Sequence, residues 1–286
     1  MNPRAVLVSP FGFLIGVSLG ALGGGGSILA VPVLVYAAGE SPKTATTTSL
    51  VVVGVTALGG MLAHLRAHRV RIVPGVMFGL AGVGGSLLGT RLNDSVDENV
   101  LLLAFAGLMA IAAWRMWVNQ AEPGAGDEDF EPYPEPPAES TSVDADPGAT
   151  RTSSPRTEVT GLVVVKVLAA GSVVGFITGF FGVGGGFVVV PALVLALGFS
   201  MADAVGTSLL VIAINSAVAL STRVGTTGVD WAVAVPFTIS GLLGVSVGKT
   251  IADRLPTVTL VRWFVGLLVV LAAYVALRAG LALAST

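Results

Sequence analysis

Residues 20–32 read GALGGGGSILAVP and place four consecutive glycines inside an apolar segment. The flanking runs FGFLIGVSL and ILAVPVLVYAA carry no charged residue, whereas flexible glycine-rich linkers are polar and solvated. Residues 5–38 form one continuous apolar segment. A single helix over this whole range would be about 50 Å long, against a membrane hydrocarbon core of about 30 Å. The segment must therefore tilt steeply, protrude or break.

The glycines favour a break. Each glycine in a helix interior is less favourable than alanine by about 1 kcal/mol, and Pro32 removes a further backbone donor. We therefore predict a break at residues 23–26 between two half-helices, which must line a protein interior or a wet cavity. A half-helix beginning near Ser27 would aim its positive end at that cavity and offer an anion free backbone N–H groups. The alternative is close helix packing, which small residues also allow.

The composition predicts an all-α polytopic membrane protein. Hydrophobic residues make up 53% of the 286-residue chain and charged residues 11%, with a mean hydropathy of +0.88. Soluble domains carry about 25% charged residues. The chain has no cysteine, and its two histidines are His64 and His68, which excludes thiolate and histidine-rich metal sites. The membrane segments offer no acid pair and no Ser–His arrangement, so we expect no enzyme activity, cofactor, metal or nucleic-acid partner.

Apolar runs between short charged loops predict eight membrane segments. They cover residues 5–38, 44–65, 72–90, 100–118, 161–197, 204–222, 231–250 and 258–277. We divide the chain into a first transmembrane repeat (1–118), a disordered acidic cytoplasmic linker (119–160) and a second transmembrane repeat (161–286). The linker holds ten acidic residues and two arginines, and it cannot bury a core. The remaining residues carry a net charge of +6, which suits membrane lipid and an anionic substrate.

The two halves repeat each other at one constant offset in residue number, which we call the repeat offset and which takes Gly16 to Gly175. Without any gap, the same offset takes Pro32 to Pro191 and the triplet TSL at residues 48–50 to the TSL at 207–209. Coincidence on Gly, Pro and Thr-Ser indicates an internal duplication of four-segment repeats, each opening with a glycine-broken helix. The second break is predicted at residues 182–186, with a half-helix beginning near Phe187. Duplicated membrane halves are typical of secondary transporters, which hold their substrate between the halves near the bilayer midplane.

The predicted substrate site combines both breaks with hydroxyl and amide groups that can bind an oxyanion without carrying charge. Its members are Gly23, Gly24, Gly25, Gly26, Ser27, Thr48, Ser49, Gly182, Gly184, Gly185, Gly186, Thr207, Ser208 and Asn215. For the hydroxyls, the alternative is a bond to their own backbone or to a neighbouring helix. Packing alone is expected to explain a second set of glycines, namely Gly82, Gly85, Gly89, Gly241, Gly244 and Gly248.

The second half carries GFFGVGGGFVVVP at residues 179–191, AVGTSL at 204–209 and GVDW at 228–231. These motifs resemble the TauE/SafE family of membrane permeases, often called sulfite exporters, and the likeness covers nearly the whole chain apart from the linker. The resemblance implies transport of sulfite, organosulfonates or related small anions across the cytoplasmic membrane, coupled to a proton or sodium gradient. The first half departs from the pattern, with Gly24, Ser27 and Arg71 at the positions equivalent to Val183, Gly186 and Asp230.

Arg66, Arg69 and Arg71 place their loop in the cytoplasm by the positive-inside rule. If each glycine-broken segment crosses the membrane, the halves run parallel and both termini are cytoplasmic. If each segment is a re-entrant hairpin, the halves are inverted and both termini lie outside. The bases Lys249 and Arg254, set against Arg223 on the alternate loop, favour the inverted version.

Two functional hypotheses follow. The leading one is a secondary transporter, acting as an exporter of a small oxyanion, that alternates access by rocking of its two repeats. The other is a non-transporting membrane scaffold that presents the acidic linker to a cytoplasmic partner. The sequence leaves the substrate, the coupling ion and the oligomeric state open.

Overall fold

The computed structural model describes residues 3–93, 98–119, 161–181, 186–221 and 228–284. Within these ranges the chain is helical and has no strand. The 3-10 turn Gly24–Gly26 joins the first two helices. The helices are α1 (Pro3–Leu22), α2 (Ser27–Tyr36), α3 (Pro42–Leu65), α4 (Ile72–Asn93), α5 (Glu98–Asn119), α6 (Gly161–Phe181), α7 (Gly186–Leu197), α8 (Met201–Ser221), α9 (Trp231–Arg254) and α10 (Thr257–Ala284). The predicted linker beyond Asn119 lies outside the described residues.

Six of the described helices are long and apolar enough to cross a membrane. Their candidate spans are Lys43–Leu65, Ile72–Gly89, Val163–Phe180, Met201–Ser221, Trp231–Arg254 and Thr257–Leu277. Large apolar side chains such as Leu80, Leu243 and Val270 are exposed on them. In water this surface would be unfavourable, whereas in a bilayer it faces hydrocarbon of equal polarity. The all-α polytopic class predicted from composition is therefore confirmed.

Helices α1, α3 and α9 run in the same direction. Along the contact between α1 and α9, Gly16 faces Gly241 and Gly20 faces Val245, so residue numbers rise together. Along α3 and α9, Gly60 likewise lies against Val245, while the start of each helix is joined by a hydrogen bond from the Asp230 N–H to the Thr48 hydroxyl. These three helices form one parallel group.

Helices α4, α6 and α8 form a second parallel group. Gly175 of α6 faces Gly82 of α4, and Gly179 faces Ser86 one turn further along both helices. Between α3 and α8 the direction reverses, because Gly54 faces Ser216 whereas Gly60 faces Leu209. The second group therefore runs antiparallel to the first.

These directions make the first glycine-rich segment a re-entrant hairpin. Because α1 and α3 are parallel, α2 between them must bring the chain back towards the end from which α1 started. Gly26 accordingly lies against Ile15 and Leu19 of α1. The same reasoning applies to α7, since α6 and α8 are parallel to each other. Of the two arrangements that the sequence leaves open, the structure has the one in which the chain turns back.

Close approach of the helices depends on glycine. A Cβ atom added at Gly85 would overlap the Ser172 carbonyl of α6, and one added at Gly244 would overlap the Phe13 carbonyl of α1. The prediction that these glycines serve packing is confirmed for both. Elsewhere in the core, Phe105 of α5 meets Phe187 of α7 edge to face, with ring centroids 5.1 Å apart.

Candidate functional site

The first hairpin turns at the predicted glycines. The helix α1 ends at Leu22, and the Gly23 N–H still donates to the Leu19 carbonyl at 2.9 Å. Gly23 itself has φ 73° and ψ −118°, a conformation that side-chain-bearing residues rarely adopt. After the 3-10 turn, α2 begins at Ser27, whose hydroxyl donates to the Gly24 carbonyl at 2.7 Å. The break at residues 23–26 and the new helix start at Ser27 agree with the prediction.

The tip of this hairpin meets the start of α7. A Cβ atom added at Gly24 would overlap the carbonyl of Gly186, and one added at Gly186 would crowd the Ser27 hydroxyl. From this contact α2 and α7 run to opposite ends of the molecule. Two helix N-termini therefore meet inside the bundle, and each carries a partial positive charge and N–H groups that lack intrahelical partners.

Side chains from α8 and α10 surround the two tips. The Ser208 hydroxyl faces Gly23, Ile212 faces Gly186, and Leu267 covers Gly25. Ser208 is buried and its hydroxyl donates to the Val205 carbonyl at 2.8 Å. Because the hydroxyls of Ser27 and Ser208 both donate to carbonyls here, each must rotate to donate to an anion. The structure thus brings together Gly23, Gly24, Gly25, Gly26, Ser27, Gly186 and Ser208 of the predicted site.

The other predicted hydroxyls have backbone partners. The buried Thr48 hydroxyl accepts the Asp230 N–H at 3.4 Å, and the buried Thr207 hydroxyl accepts the Arg71 N–H at 3.0 Å. Each threonine thereby ties its helix to the start of a helix from the other half. The Ser49 hydroxyl donates to the Thr46 carbonyl at 2.8 Å. Gly182, Gly184 and Gly185 lie outside the described residues.

Asn215 shares one face of α8 with Ser208 and Ile212, because their spacing of four and three residues stacks them along the helix. Its Oδ1 atom is buried and has no hydrogen-bond partner among the residues described. The Thr56 hydroxyl on α3, at the equivalent position of the first half, is buried and unpartnered in the same sense. Buried polar atoms are nearly always hydrogen-bonded, so the Asn215 Oδ1 atom is a candidate ligand contact. The Thr56 hydroxyl, its counterpart at the repeat offset, lies against Gly241 of α9, which faces Gly16 of α1 and not the tips.

Comparison with known proteins identifies the family. A family model described as "Sulfite exporter TauE/SafE" matches residues 8–275. The chain belongs to the TauE/SafE family. A "Probable membrane transporter protein" of Xylella fastidiosa strain Temecula1 is 33% identical over 248 residues, covering 85% of this chain and 83% of that relative. The "Probable membrane transporter protein YunE" of Bacillus subtilis is 26% identical over 274 residues, covering 90% and 91%. No solved structure matches significantly.

This TauE/SafE protein is accordingly a multi-pass membrane transporter of the cell membrane, and its family is one of transporters rather than enzymes. The ion pairs of the described residues lie at one end of the bundle. At the end that carries the 66–71 loop, Arg71 contacts one Asp203 oxygen through two nitrogens at 3.1 and 3.0 Å. Arg69 and Lys249 both pair with Asp253, Lys249 at 2.7 Å. The pairs Arg71–Asp203 and Arg69–Asp253 join the α3–α4 loop to α8 and α9. We call the end of the bundle that carries these pairs the basic end.

Proposed function

We propose that this TauE/SafE protein is a secondary transporter, acting as an exporter, of a small oxyanion such as sulfite, an organosulfonate or a related sulfur-containing anion. The observation that carries the proposal is the meeting of two helix N-termini where Gly24 touches Gly186. Two positive helix ends in a buried place repel each other, and an anion between them removes that repulsion. Backbone N–H groups at a helix start are a general anion-binding device.

The surroundings of the tips favour an oxyanion over a metal ion or an apolar ligand. The nearest polar side chains are the neutral hydroxyls of Ser27 and Ser208, and hydroxyls can donate to anionic oxygens. Within the part of the chain that the structure describes, no three His, Cys, Asp or Glu side chains cluster as a metal site would require. The sulfur-containing class itself rests on the family description rather than on any group in the site.

We further propose that the chain consists of two inverted repeats, residues 1–118 and 161–286, joined by a disordered cytoplasmic linker. Opposite directions of α1 and α6, α3 and α8, and α4 and α9 support this, since the repeat offset relates the members of each pair. Inverted repeats exchange two arrangements, related by a pseudo-two-fold axis in the membrane plane, by rocking around a central site. The glycine-lined contact between the antiparallel α3 and α8 separates the two parallel groups and supports such a motion.

Flux into and out of proteoliposomes tests the transport proposal. A panel of sulfite, methanesulfonate, sulfate and carboxylates should show saturable flux of at least one sulfur oxyanion. We expect Ser208→Ala to weaken that flux, because it removes the hydroxyl beside Gly23. Ser221→Ala is the matched control, since the Ser221 hydroxyl makes the same bond to the Val218 carbonyl, at 2.7 Å, on an exposed part of α8. Absence of flux for every anion would overturn the proposal.

The alternative function, a scaffold that presents the acidic linker to a cytoplasmic partner, makes a different prediction. Replacing residues 120–158 by a neutral flexible linker of equal length removes the acidic groups and keeps the halves joined. A transporter whose linker is only a tether retains its flux after this change, because the tips and their surroundings are unaltered. Loss of the cellular phenotype with unchanged insertion and unchanged flux would instead support the scaffold.

A further inference from the structure

Glu40 is a buried acid at the end of the molecule opposite the 66–71 loop. It lies between α2 and α3, its residue is 8% exposed, and neither carboxylate oxygen has a hydrogen-bond partner in the described ranges. Its backbone N–H donates to the Leu34 carbonyl at 3.1 Å, which fixes it at the C-terminal end of α2. An ionised carboxylate held in this way is strongly unfavourable, because burial removes its water without supplying a partner.

The groups around Glu40 add to this effect. Asp230 caps the start of α9, with Oδ1 accepting the Ala232 N–H at 3.1 Å. Burial raises the pKa of Glu40, and the negative charge of Asp230 raises it further. The Thr48 hydroxyl opposes the rise in pKa but does not lie in hydrogen-bonding geometry with either oxygen. The C-terminal pole of α2 is negative as well.

No described cation compensates the Glu40 carboxylate. Lys43, in the first turn of α3, is exposed, and the ion pairs of the described residues do not include it. Tyr36, on α2, is exposed too. The burial of Glu40 without a described cation therefore favours its neutral form in this structure.

The opposite end of the protein carries different chemistry at the equivalent positions. The repeat offset places Arg71 at the position of Asp230, Thr207 at that of Thr48, and Phe199 at that of Glu40. The Thr207 hydroxyl accepts the Arg71 N–H as Thr48 accepts that of Asp230, but Arg71 is neutralised by Asp203. One end thus carries an ion pair, and the other carries a buried acid whose pKa is raised by the charge of a second acid.

We propose that Glu40 is the binding site of the coupling proton, so that protonated Glu40 closes the outer end and loss of the proton opens it. The proposal rests on the proposed transport function. A proton fits better than sodium, because the Asp230 Oδ1 and Thr48 hydroxyl oxygens already accept N–H groups, and sodium would need several free oxygens. When Glu40 loses its proton, two carboxylates face each other and separation of the α2–α3 corner from α9 relieves the repulsion.

The direction of the pH effect follows from the raised pKa of Glu40 in the closed state. Below the ordinary pKa of a glutamate, both arrangements are protonated and the closed end keeps its full stability. As the pH rises from that value to the raised pKa of the closed state, opening releases a proton and closure is progressively lost. A pH above that raised pKa therefore favours an open outer end.

Accessibility of an introduced thiol tests this without any substrate, since the chain has no cysteine. Ala45, in the first turns of α3, is buried near this corner, and Ser41 beside it is exposed. Labelling of Ala45→Cys by a membrane-impermeant maleimide, divided by that of Ser41→Cys, should rise with pH by up to about tenfold per unit, the steepest slope that one titrating group allows. Adding Glu40→Gln should keep the ratio low at every pH.

Ala38→Cys, just after α2, is a second reporter for the case in which Ala45→Cys fails to fold. Ala38 is buried as well. A ratio that does not change with pH in either reporter would overturn the proposal. So would a pH response that survives Glu40→Gln. Both outcomes concern Glu40 alone and do not depend on which anion is carried.

Driven transport provides the functional arm. An imposed pH gradient should drive anion accumulation in wild-type proteoliposomes, whereas Glu40→Gln, whose outer end stays closed at every pH, should lose the pH-driven accumulation. Accumulation that remains pH-driven in Glu40→Gln would contradict the proposal. Accumulation driven by sodium at constant pH and lost in Glu40→Gln would overturn the proton in favour of a metal cation. Absence of all anion flux in the wild-type protein would instead refute the proposed function. Thiol labelling, which needs no substrate, would then decide the role of Glu40.

Discussion

At the residue scale, the absence of a side chain at Gly24 is what lets the hairpin tip reach α7. The neighbouring atoms are the carbonyl of Gly186 and the N–H of Phe187, and backbone at a helix start cannot move aside without displacing the helix. Gly25 is different, because the atom that its added Cβ would meet is the Cδ2 of Leu267, the end of a flexible side chain. The two adjacent glycines should therefore tolerate alanine unequally.

We expect Gly24→Ala to reduce anion flux by about tenfold or more, equal to about 1.4 kcal/mol at the site. Its methyl group would force the tips apart and separate the two helix starts. Gly25→Ala should be milder, since Leu267 can change rotamer. Gly84→Ala is the matched control, because a Cβ there meets no described atom within 4 Å. Flux is measured per amount of inserted protein. Wild-type flux in Gly24→Ala would show that Gly24 serves helix packing and does not form the anion site.

The sequence predicts residues whose role is local, and it singles out Thr48 and Thr207 without predicting their distant partners. The break at residues 23–26 and the start of α2 at Ser27 follow from glycine content and segment length, which are local properties. By contrast, Thr48 and Thr207 bond to Asp230 and Arg71, and contacts so far apart in the chain leave no trace in spacing. Glu40 escaped notice because it lies outside every apolar run, although the fold buries it.

At the element scale, the re-entrant hairpins determine the orientation of the whole second half. Hydropathy gives the position of an apolar segment but not its direction, so the sequence left the crossing and re-entrant arrangements open. Charge counts favoured the re-entrant one only by a small margin. The contacts of α1 with α9 give the direction, since Gly16 and Gly20 follow the order of Gly241 and Val245.

Orientation can be tested at the α9–α10 turn. In the inverted arrangement Thr257, at the start of α10, faces the cytoplasm, whereas crossing segments would place it outside. We expect Thr257→Cys to resist an impermeant maleimide in intact cells and to react after permeabilisation. Ser41→Cys should react in intact cells, because both arrangements place it outside. Both positions are exposed, so burial does not confuse the comparison. Labelling of Thr257→Cys in intact cells would contradict the inverted arrangement.

At the scale of the whole molecule, the two halves pack mainly on each other. The helix α1 packs along α9 of the other half, and α6 packs along α4 in the same manner. Composition predicted the membrane class, and the repeat offset predicted equivalent positions. Neither could predict that helices of one half pack along helices of the other. A row of glycines shows that a helix has a close neighbour but not which helix that neighbour is.

The cross-packing also defines what transport must disturb. The proposed rocking would have to preserve the glycine contacts of α1 with α9 and of α4 with α6, whose backbones touch, and to move the α3–α8 contact between the two groups. On the basic end it has to separate Arg71 from Asp203 or carry both together. Each of these helix contacts, and the Arg71–Asp203 pair, joins one half to the other. The proposed motion would therefore act on the ends and on the central tips together.

The most direct test of the central claim is the position of a bound oxyanion. Selenite has the shape and charge of sulfite, and its selenium is located by anomalous scattering in crystals of the protein. The account predicts a peak where Gly24 meets the start of α7, within hydrogen-bonding reach of Ser27 and Ser208, and its loss in Gly24→Ala. A selenite peak confined to the arginines at the ends of the bundle, in a protein that transports the anion, would contradict it.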